Sequence, residues 1–335
     1  MSFQKRPLRI FVVLILILAA CFCISLSVGE SGAGFSDLIK VFSGQASRST
    51  YLIMMRIRLP RLVACLVAGG SLALSGGLLQ TLTRNPLADS GILGINAGAG
   101  MMVALVIAYF SLEKPWVMQV LPVLAMLGGC VTILLVYFVA RIPQKGISPV
   151  RLIIAGVGLS TMMSGVMVSI VGNVNRYKVD AIVNWLSGRI SGDNWRTLVI
   201  ISPLLLLLWG IAYSKSQDLN ILNLQEQTAV ALGLNVKSSR RFVLFLATAL
   251  AALSVIIVGN ITFVGLVSGH LARRYIGGDH RVFLPATCLL GMILLLVADS
   301  LGRVLLVGTG IPTGLIVSVL GAPYFLVLMG RLNAS

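Results

Sequence analysis

The chain has 335 residues, of which 57% are hydrophobic and only 11% are charged. Soluble domains carry about 25% charged residues, so this composition excludes an ordinary soluble domain and predicts an integral membrane protein. The formal net charge of +16 does not indicate nucleic-acid binding, because the basic residues cluster in short loops between apolar runs, where they set membrane topology.

Nine apolar runs approach the length of about 20 residues that a helix needs to cross a bilayer. They occupy residues 10–28, 62–82, 92–110, 117–140, 152–171, 198–213, 242–258, 282–306 and 311–329. Asp299 is the one acid well inside a run, and Arg303 follows it by one helical turn. A buried charge requires a partner, so we predict a structural ion pair between Asp299 and Arg303.

A tenth crossing is predicted at 261–271, although this apolar stretch is too short for an ordinary span. With the N-terminus in the cytoplasm, a crossing here leaves most of the 26 Lys and Arg residues on the cytoplasmic side, whereas no crossing leaves most of them outside. The positive-inside tendency therefore favours a short helix with irregular flanks, shielded by other helices. The predicted fold is a single all-α membrane domain over residues 1–335, with ten transmembrane helices and both termini cytoplasmic.

This topology places the polar segment 214–241 in the cytoplasm. Within 218–234 the apolar residues recur at mixed spacings, which predicts two short helices with a bend, and Gly233 is positioned to end the second helix. An interfacial helix lying on lipid is the alternative, but such helices favour a Lys/Arg-rich polar face. Here the basic residues come only at the end, in 237–241, so we favour docking of a soluble partner.

Several kinds of catalytic site are absent from the sequence. It contains no G-x-x-x-x-G-K-[ST] phosphate loop, so we do not expect the chain to hydrolyse ATP itself. The five cysteines lie in apolar runs and the two histidines are isolated, so we predict no disulfide, metal or cofactor site. The scarcity of acids within the spans disfavours an ion-coupled carrier. One anomaly remains, since Arg56, Arg58 and Arg61 fall at the outer mouth of the second span.

Five stretches now resemble one family in their order along the chain. They are RLPR at 58–61, TRNPLADSGILGINAGAG at 83–100, FVGLVSGHLARR at 263–274, GGDHR at 277–281 and IPTGLIVSVLGAPYFLVLM at 311–329. Together they resemble the permease subunits of type II ABC importers, the FecCD-type family that takes up iron–siderophore complexes, cobalamin or haem. The chain departs from the family's common D-P-G and V-P-H patterns at Ser90 and at Ser268-Gly269.

The resemblance implies a multi-pass permease of a bacterial cell membrane, not an enzyme itself, that translocates an iron(III)–siderophore complex. Cobalamin or haem import remains open, and an ion-coupled secondary carrier is the rival from another class. The implied partners are a cytoplasmic ABC ATPase dimer, an extracytoplasmic substrate-binding protein, membrane lipid and a second permease, with a homologous heterodimer favoured over a homodimer. Nucleic acid is not among them.

The resemblance also implies roles for particular residues. Arg58, Arg61 and Arg303 would receive acidic residues of the binding protein, although binding to lipid phosphates, or for Arg303 to Asp299 alone, stays open. The residues implied in coupling to the ATPase are Leu219, Leu222, Leu224, Glu226, Thr228, Ala229, Leu232 and Gly233. The small residues at 69–77 and 94–100 allow close helix approach, so we expect them at the transport path or at the second permease.

Overall fold

The structure is a computed structural model that describes residues 5–28, 35–110, 115–143, 146–188, 190, 195–305 and 311–332. Seven helices in these described ranges are long and apolar enough to cross a membrane, and Ile95–Tyr109 and Thr313–Val327 are shorter apolar helices. The all-α membrane architecture is therefore confirmed, while the finer count of ten crossings stays a prediction.

The first half of the chain forms eight α-helices and one small hairpin. The helices are α1 (Lys5–Ser27), α2 (Phe35–Phe42), α3 (Arg48–Leu52), α4 (Leu59–Thr83), α5 (Ile95–Tyr109), α6 (Pro115–Ala140), α7 (Pro149–Gly172) and α8 (Arg176–Leu186). The strands β1 (Arg141–Ile142) and β2 (Gly146–Ile147) pair antiparallel between α6 and α7.

The second half alternates long and short helices. They are α9 (Trp195–Ser214), α10 (Ser216–Leu222), α11 (Glu226–Ala231), α12 (Val236–Val258), α13 (Val264–Ile276), α14 (His280–Leu305) and α15 (Thr313–Leu332). Each predicted apolar run overlaps one of the long helices. The helix within the predicted run 92–110 is shorter than that run. It begins only at Ile95, because the backbone of Gly94 lies in the left-handed region at φ +84°.

A π-helical segment, Ile53–Arg58, joins α3 to α4. Pro60 has no N–H with which to continue the α-helical pattern, and the Leu59 N–H bonds back five residues to the Met54 carbonyl. Because a π-helical turn is wider than an α-helical turn, it changes the direction in which the side chains of Arg58 and Arg61 project from the helix.

Helix α4 forms the centre of the molecule, since 89% of an 18-residue apolar stretch within the Arg48–Thr83 span is buried, against 11% of such a stretch in α7. A Cβ atom on Gly69 would lie only 2.6 Å from the carbonyl oxygen of Gly291 on α14, so the two backbones touch. The small residues of 94–100 pack in the same way, since a Cβ on Gly98 would lie 2.6 Å from the Gly128 carbonyl oxygen on α6. The close approach that these stretches allow is used inside this chain, and their place at the transport path or at a second permease stays a prediction.

Candidate docking and coupling sites

Helices α4 and α14 lie antiparallel, and each end of this α4–α14 pair carries a polar cluster. We call the end with Arg61 and Asp299 the arginine end. The opposite end, where α10 and α11 lie, is the loop end. The sequence predicted functional residues at both ends, and the structure shows that they differ in chemistry.

At the arginine end, Asp299 is completely buried. Its Oδ1 accepts hydrogen bonds from Arg61 Nε at 2.9 Å and from Thr313 Oγ1 at 3.1 Å. Arg303 Nε forms an ion pair with Oδ2 at 3.1 Å. The predicted pair of Asp299 and Arg303 is thus part of a larger cluster, in which two guanidinium groups offset the cost of a buried carboxylate.

Arg303 and Arg58 hold the C-terminus of α1. Arg303 donates to the carbonyl oxygens of Ser25 at 3.0 Å and Val28 at 2.8 Å, and Arg58 donates to the Leu26 carbonyl at 2.6 Å. The last carbonyls of a helix have no partner within it and carry a partial negative charge, so cations are favoured there. No signal in the sequence indicates these contacts between distant segments.

The three arginines predicted to dock a binding protein differ in burial: Arg58 is the most buried, Arg303 is intermediate and Arg61 is the most exposed. Arg58 is 5% exposed, and the side chains of Arg303 and Arg61 are 13% and 25% exposed. The neighbouring Arg56 is exposed. The structure places the three arginines in one cluster, but each spends hydrogen bonds on this chain, and their role in docking stays a prediction.

At the loop end, the polar segment 214–241 forms two short helices, α10 and α11, joined by a bend at residues 223–225. The C-terminus of α11 is a Schellman motif: Gly233 has φ +85°, its N–H bonds to the Val230 carbonyl, and the Leu234 N–H bonds to the Ala229 carbonyl. Gly233 therefore occupies the left-handed position that favours glycine, and it fixes where the second helix stops.

The eight residues predicted to couple to the ATPase divide into two sets. Leu219, Leu222 and Ala229 are buried against the rest of the chain. The others are exposed, and with Val230 they form an apolar surface that we call the loop surface: Leu224, Glu226, Thr228, Val230, Leu232 and Gly233. Val230 and Leu232 are each 59% exposed, which is unusual for large apolar side chains outside lipid.

Two arginines that the sequence reasoning missed anchor these helices. Arg84, the C-cap of α4, donates to the carbonyl oxygens of Leu222 and Leu224 at the end of α10. Arg240, on α12, forms an ion pair with Glu226 at 3.0 Å. Arg84 thus ties α10 to α4, whereas α11 is tied to α12.

Asn220, also missed, connects α10 to the first residues of α14. Its amide oxygen accepts from the His280 backbone N–H at 2.9 Å and lies 2.7 Å from His280 Nδ1, and its amide nitrogen donates to Asp279 Oδ1 at 2.8 Å. The bond from Asn220 and a second from the Arg281 backbone N–H stabilise the charged carboxylate, so the pKa of Asp279 is lowered. The buried His280 continues to α4, where Nε2 lies 2.7 Å from Thr81 Oγ1.

Helix α7 exposes small and polar residues, as well as large apolar ones, along most of its length. Gly158, Gly165 and Gly172 have open space where a Cβ would stand, and Thr161 and Ser164 on the same helix are exposed. In the described residues no group of three or more His, Cys, Asp or Glu side chains could hold a metal ion.

Comparisons with known proteins match nearly the whole chain. The model of the FecCD transport family matches residues 16–331. The chain is 35% identical to the iron(3+)-hydroxamate import system permease protein FhuG of Bacillus subtilis, covering 98% of each chain. It is 37% identical to the ferric enterobactin transport system permease protein FepD of Escherichia coli, covering 95% of this chain and 94% of the relative.

Two further comparisons extend this result. The chain is 33% identical to the hemin transport system permease protein HmuU of Yersinia pestis, covering 98% of this chain and 96% of the relative. A solved structure described as an inward-facing conformation of a putative metal-chelate type ABC transporter superimposes with a TM-score of 0.81 at 31% identity, covering 97% of this chain and 99% of that one.

Proposed function

The chain belongs to the FecCD transport family, and from this premise we propose that it is the permease subunit of an ABC importer for an iron(III)–siderophore complex. The observation that carries the proposal is the family match over residues 16–331, together with relatives named for ferric hydroxamate and ferric enterobactin. The permease lies in the bacterial cell membrane and is not itself an enzyme. ATP hydrolysis takes place on separate partner subunits.

We place ten crossings in the membrane, with both termini cytoplasmic. The shortest consists of the non-helical residues 259–263 followed by α13. Near the start of α13, a Cβ on Gly265 would lie 2.7 Å from the Cα of Gly76, which is well inside α4. Near its end, Arg273 stacks on the Phe283 ring at 4.6 Å, in the first turn of α14. Helix α13 thus covers about half of the crossing, and the non-helical residues 259–263 cover the other half.

Non-helical backbone at membrane depth must be shielded and hydrogen-bonded, and residues 259–263 meet this requirement. Asn96 Nδ2 donates to the Ile261 carbonyl at 3.3 Å, and the Phe263 N–H donates to Asp89 Oδ2 at 3.1 Å. Gly314 packs against the Asn260 carbonyl, where a Cβ would lie 3.2 Å from that oxygen. These contacts support a crossing at this position.

The loop surface is the proposed docking site for the ATPase dimer. Its large apolar side chains face water in the isolated chain, and apolar side chains surrounded by polar residues characterise protein interaction sites. Leu219, Leu222 and Ala229 face inward and hold the surface on the bundle. The two sets together would let a docked ATPase move the bundle instead of only the loop.

The arginine end is the proposed docking site for the binding protein. Arg61 has the most exposed of the three predicted guanidinium groups and stands near the exposed Arg56. We assign direct contact with acidic residues of the binding protein to Arg61, and assign Arg58 and Arg303 to holding the end of α1 beside it. Guanidinium groups bind carboxylates with two parallel hydrogen bonds, and such pairs affect orientation and association rate more than affinity.

Helix α7 is the proposed contact with the transport path and the second permease. Only 11% of an 18-residue apolar stretch of α7 is buried. Large apolar residues such as Ile154 and Val168 are exposed there, and glycine, serine and threonine are exposed between them. Small residues permit close approach of another helix or leave space for a passing solute. Within this proposal a homologous heterodimer is favoured over a homodimer.

The test is gentle detergent extraction of the tagged chain from its native membrane, followed by mass spectrometry and uptake measurements in proteoliposomes. We expect an ABC ATPase to copurify, and radioactive iron bound to a hydroxamate siderophore to enter only with ATP and the binding protein. Iron citrate and hemin serve as competing substrates. Active transport by the chain alone, without ATP, would establish the secondary carrier instead.

A further inference from the structure

The α4–α14 pair is joined at three levels along its length. Arg61 meets Asp299 at the arginine end, Gly69 meets Gly291 near the middle, and Thr81 meets His280 at the loop end. Helices whose backbones touch cannot slide past each other without a clash, because packed interiors have little free volume. The pair is therefore one rigid body that reaches from the arginine end to the loop end.

Helix α10 is fastened to this rigid body more firmly than α11 is fastened to α12. Three hydrogen bonds leave the side chain of Asn220, and Arg84 adds two more to the carbonyls that end α10. In contrast, the side-chain link of α11 to α12 within the described residues is one ion pair, whose Glu226 side chain is 57% exposed, and exposed ion pairs contribute little.

The groups around Asn220 determine which atoms donate and which accept in these hydrogen bonds. Its amide nitrogen must face the Asp279 carboxylate, which only accepts, so its oxygen must face His280. The imidazole Nδ1 therefore carries the proton and donates to Asn220. On the other side of the ring, Nε2 lies 2.7 Å from Thr81 Oγ1, whose hydroxyl is also within hydrogen-bond distance of the Gly77 carbonyl. One amide side chain thus links α10 to α14 directly and to α4 through the histidine ring.

We propose that Asn220 is the positioning residue that transfers movement of α10 to the α4–α14 pair, and along this pair to the Asp299 cluster at the arginine end. The inference rests on the proposed function, because it assigns the pair as the connection between the ATPase site and the binding-protein site. Coupling between distant sites requires an element whose arrangement both sites influence, and the pair contacts both.

The donor and acceptor groups can be exchanged to test this assignment. Asn220→Asp keeps the acceptor for His280 but places a second carboxylate against Asp279. Adding Asp279→Asn restores a donor facing an acceptor, and asparagine still caps the start of α14 as aspartate does. Asn220→Leu removes all three bonds. Lys215→Gln is the matched control, since the Lys215 ammonium forms an exposed ion pair with Asp218 beside the same helix and lies 5.9 Å from the Phe242 ring on α12, and neither of these contacts is with α4 or α14.

The experiment measures ATP hydrolysis by the copurified complex in proteoliposomes, with and without iron-loaded binding protein, and iron uptake by the same vesicles. In Asn220→Asp, we expect the ATPase still to copurify while stimulation by the binding protein falls at least about fivefold, the low end of measured couplings. The Asn220→Asp/Asp279→Asn double variant should recover stimulation, and Lys215→Gln should keep it.

Two outcomes would overturn the inference and leave the proposed function in place: wild-type stimulation in Asn220→Asp and Asn220→Leu, or loss of stimulation that the double variant does not restore. If Asn220→Leu fails to assemble, the exchange pair decides alone. Failure of the unmodified chain to copurify with any ATPase would instead contradict the proposed function, so the two failures are distinguishable.

Discussion

The two ends of the α4–α14 pair are stabilised by different chemistry. At the arginine end, a fully buried carboxylate holds the guanidinium groups of Arg61 and Arg303, and Arg303 also binds the last carbonyls of α1. At the loop end, an amide, an imidazole and a hydroxyl form the link to α10, with one carboxylate at its exposed edge.

The difference indicates which end can rearrange. Removing one partner of a buried ion pair costs about 3–5 kcal/mol, whereas a typical neutral hydrogen bond contributes about 0.5–1.5 kcal/mol. Contacts of the second kind can break and form again within a transport cycle. The arginine end therefore holds a fixed arrangement of α1, α4 and α14, whereas the loop end is where α10 passes its movement to the pair.

The strongest way to break this comparison is to neutralise the buried acid. Asp299→Asn leaves Arg61 and Arg303 without a counter-ion in a water-poor site, so we expect a loss of about 3–5 kcal/mol of stability. The measurement is thermal unfolding of the detergent-solubilised chain, followed by size-exclusion chromatography of the heated samples. Asp180→Asn, at an exposed position of α8, is the control, and equal melting of the two variants would contradict a structural role for Asp299.

A second test concerns the rigidity of the pair between its ends. Gly69→Ala places a methyl group 2.6 Å from the Gly291 carbonyl oxygen, so α4 and α14 must move apart, at a cost of about 1–3 kcal/mol. Gly158→Ala on α7 adds the same methyl group in open space and should not destabilise the chain. Melting temperatures of the two alanine variants check this. A Gly69→Ala chain as stable as wild type would show that the pair is not rigid.

At the loop end, the largest effect should appear in partner binding and not in folding. Leu232→Ala removes a side chain that is 59% exposed and central to the loop surface, so we expect ATPase affinity to fall by about 1–2 kcal/mol with little change in melting. The control is Leu207→Ala, on α9, where the leucine is 61% exposed. Binding of the ATPase to immobilised permease measures the effect, and equal affinities would remove the loop surface from the interface.

Sequence reasoning located both ends but could not determine which way their side chains face. The hydrophobic runs predicted the long helices because burial in lipid depends on composition over about 20 residues. Gly233 predicted a helix end because glycine adopts the left-handed conformation of a helix C-terminus more readily than other residues do. Both signals are local, and local signals are what a single sequence carries.

The contacts that the sequence missed join segments far apart in the chain. Arg61 and Asp299 are separated by 238 residues, and RLPR alone cannot distinguish an arginine that meets a partner from one that meets a buried aspartate. Asn220 is one polar residue in a polar loop, and its three hydrogen bonds depend on where α14 begins. The glycines of 69–77 indicated close packing, but they did not indicate which helix would fill the space.

The smallest predicted effect sharpens the comparison through pH. Because Asn220 and the Arg281 N–H lower the pKa of Asp279 in the folded chain, its charged form stabilises the fold above the ordinary value of 3.8, and this contribution is lost as the pH falls through the lowered pKa. Asn220→Leu removes the largest cause of the lowering, so this acid loss of stability should be complete at a higher pH than in the unmodified chain. Acid unfolding followed by tryptophan fluorescence measures the shift, with Asp279→Asn as the variant in which this contribution is absent. An acid transition that Asn220→Leu leaves unmoved would mean that the amide does not hold the carboxylate, and the loop end would then lose the bond that joins α10 to the start of α14.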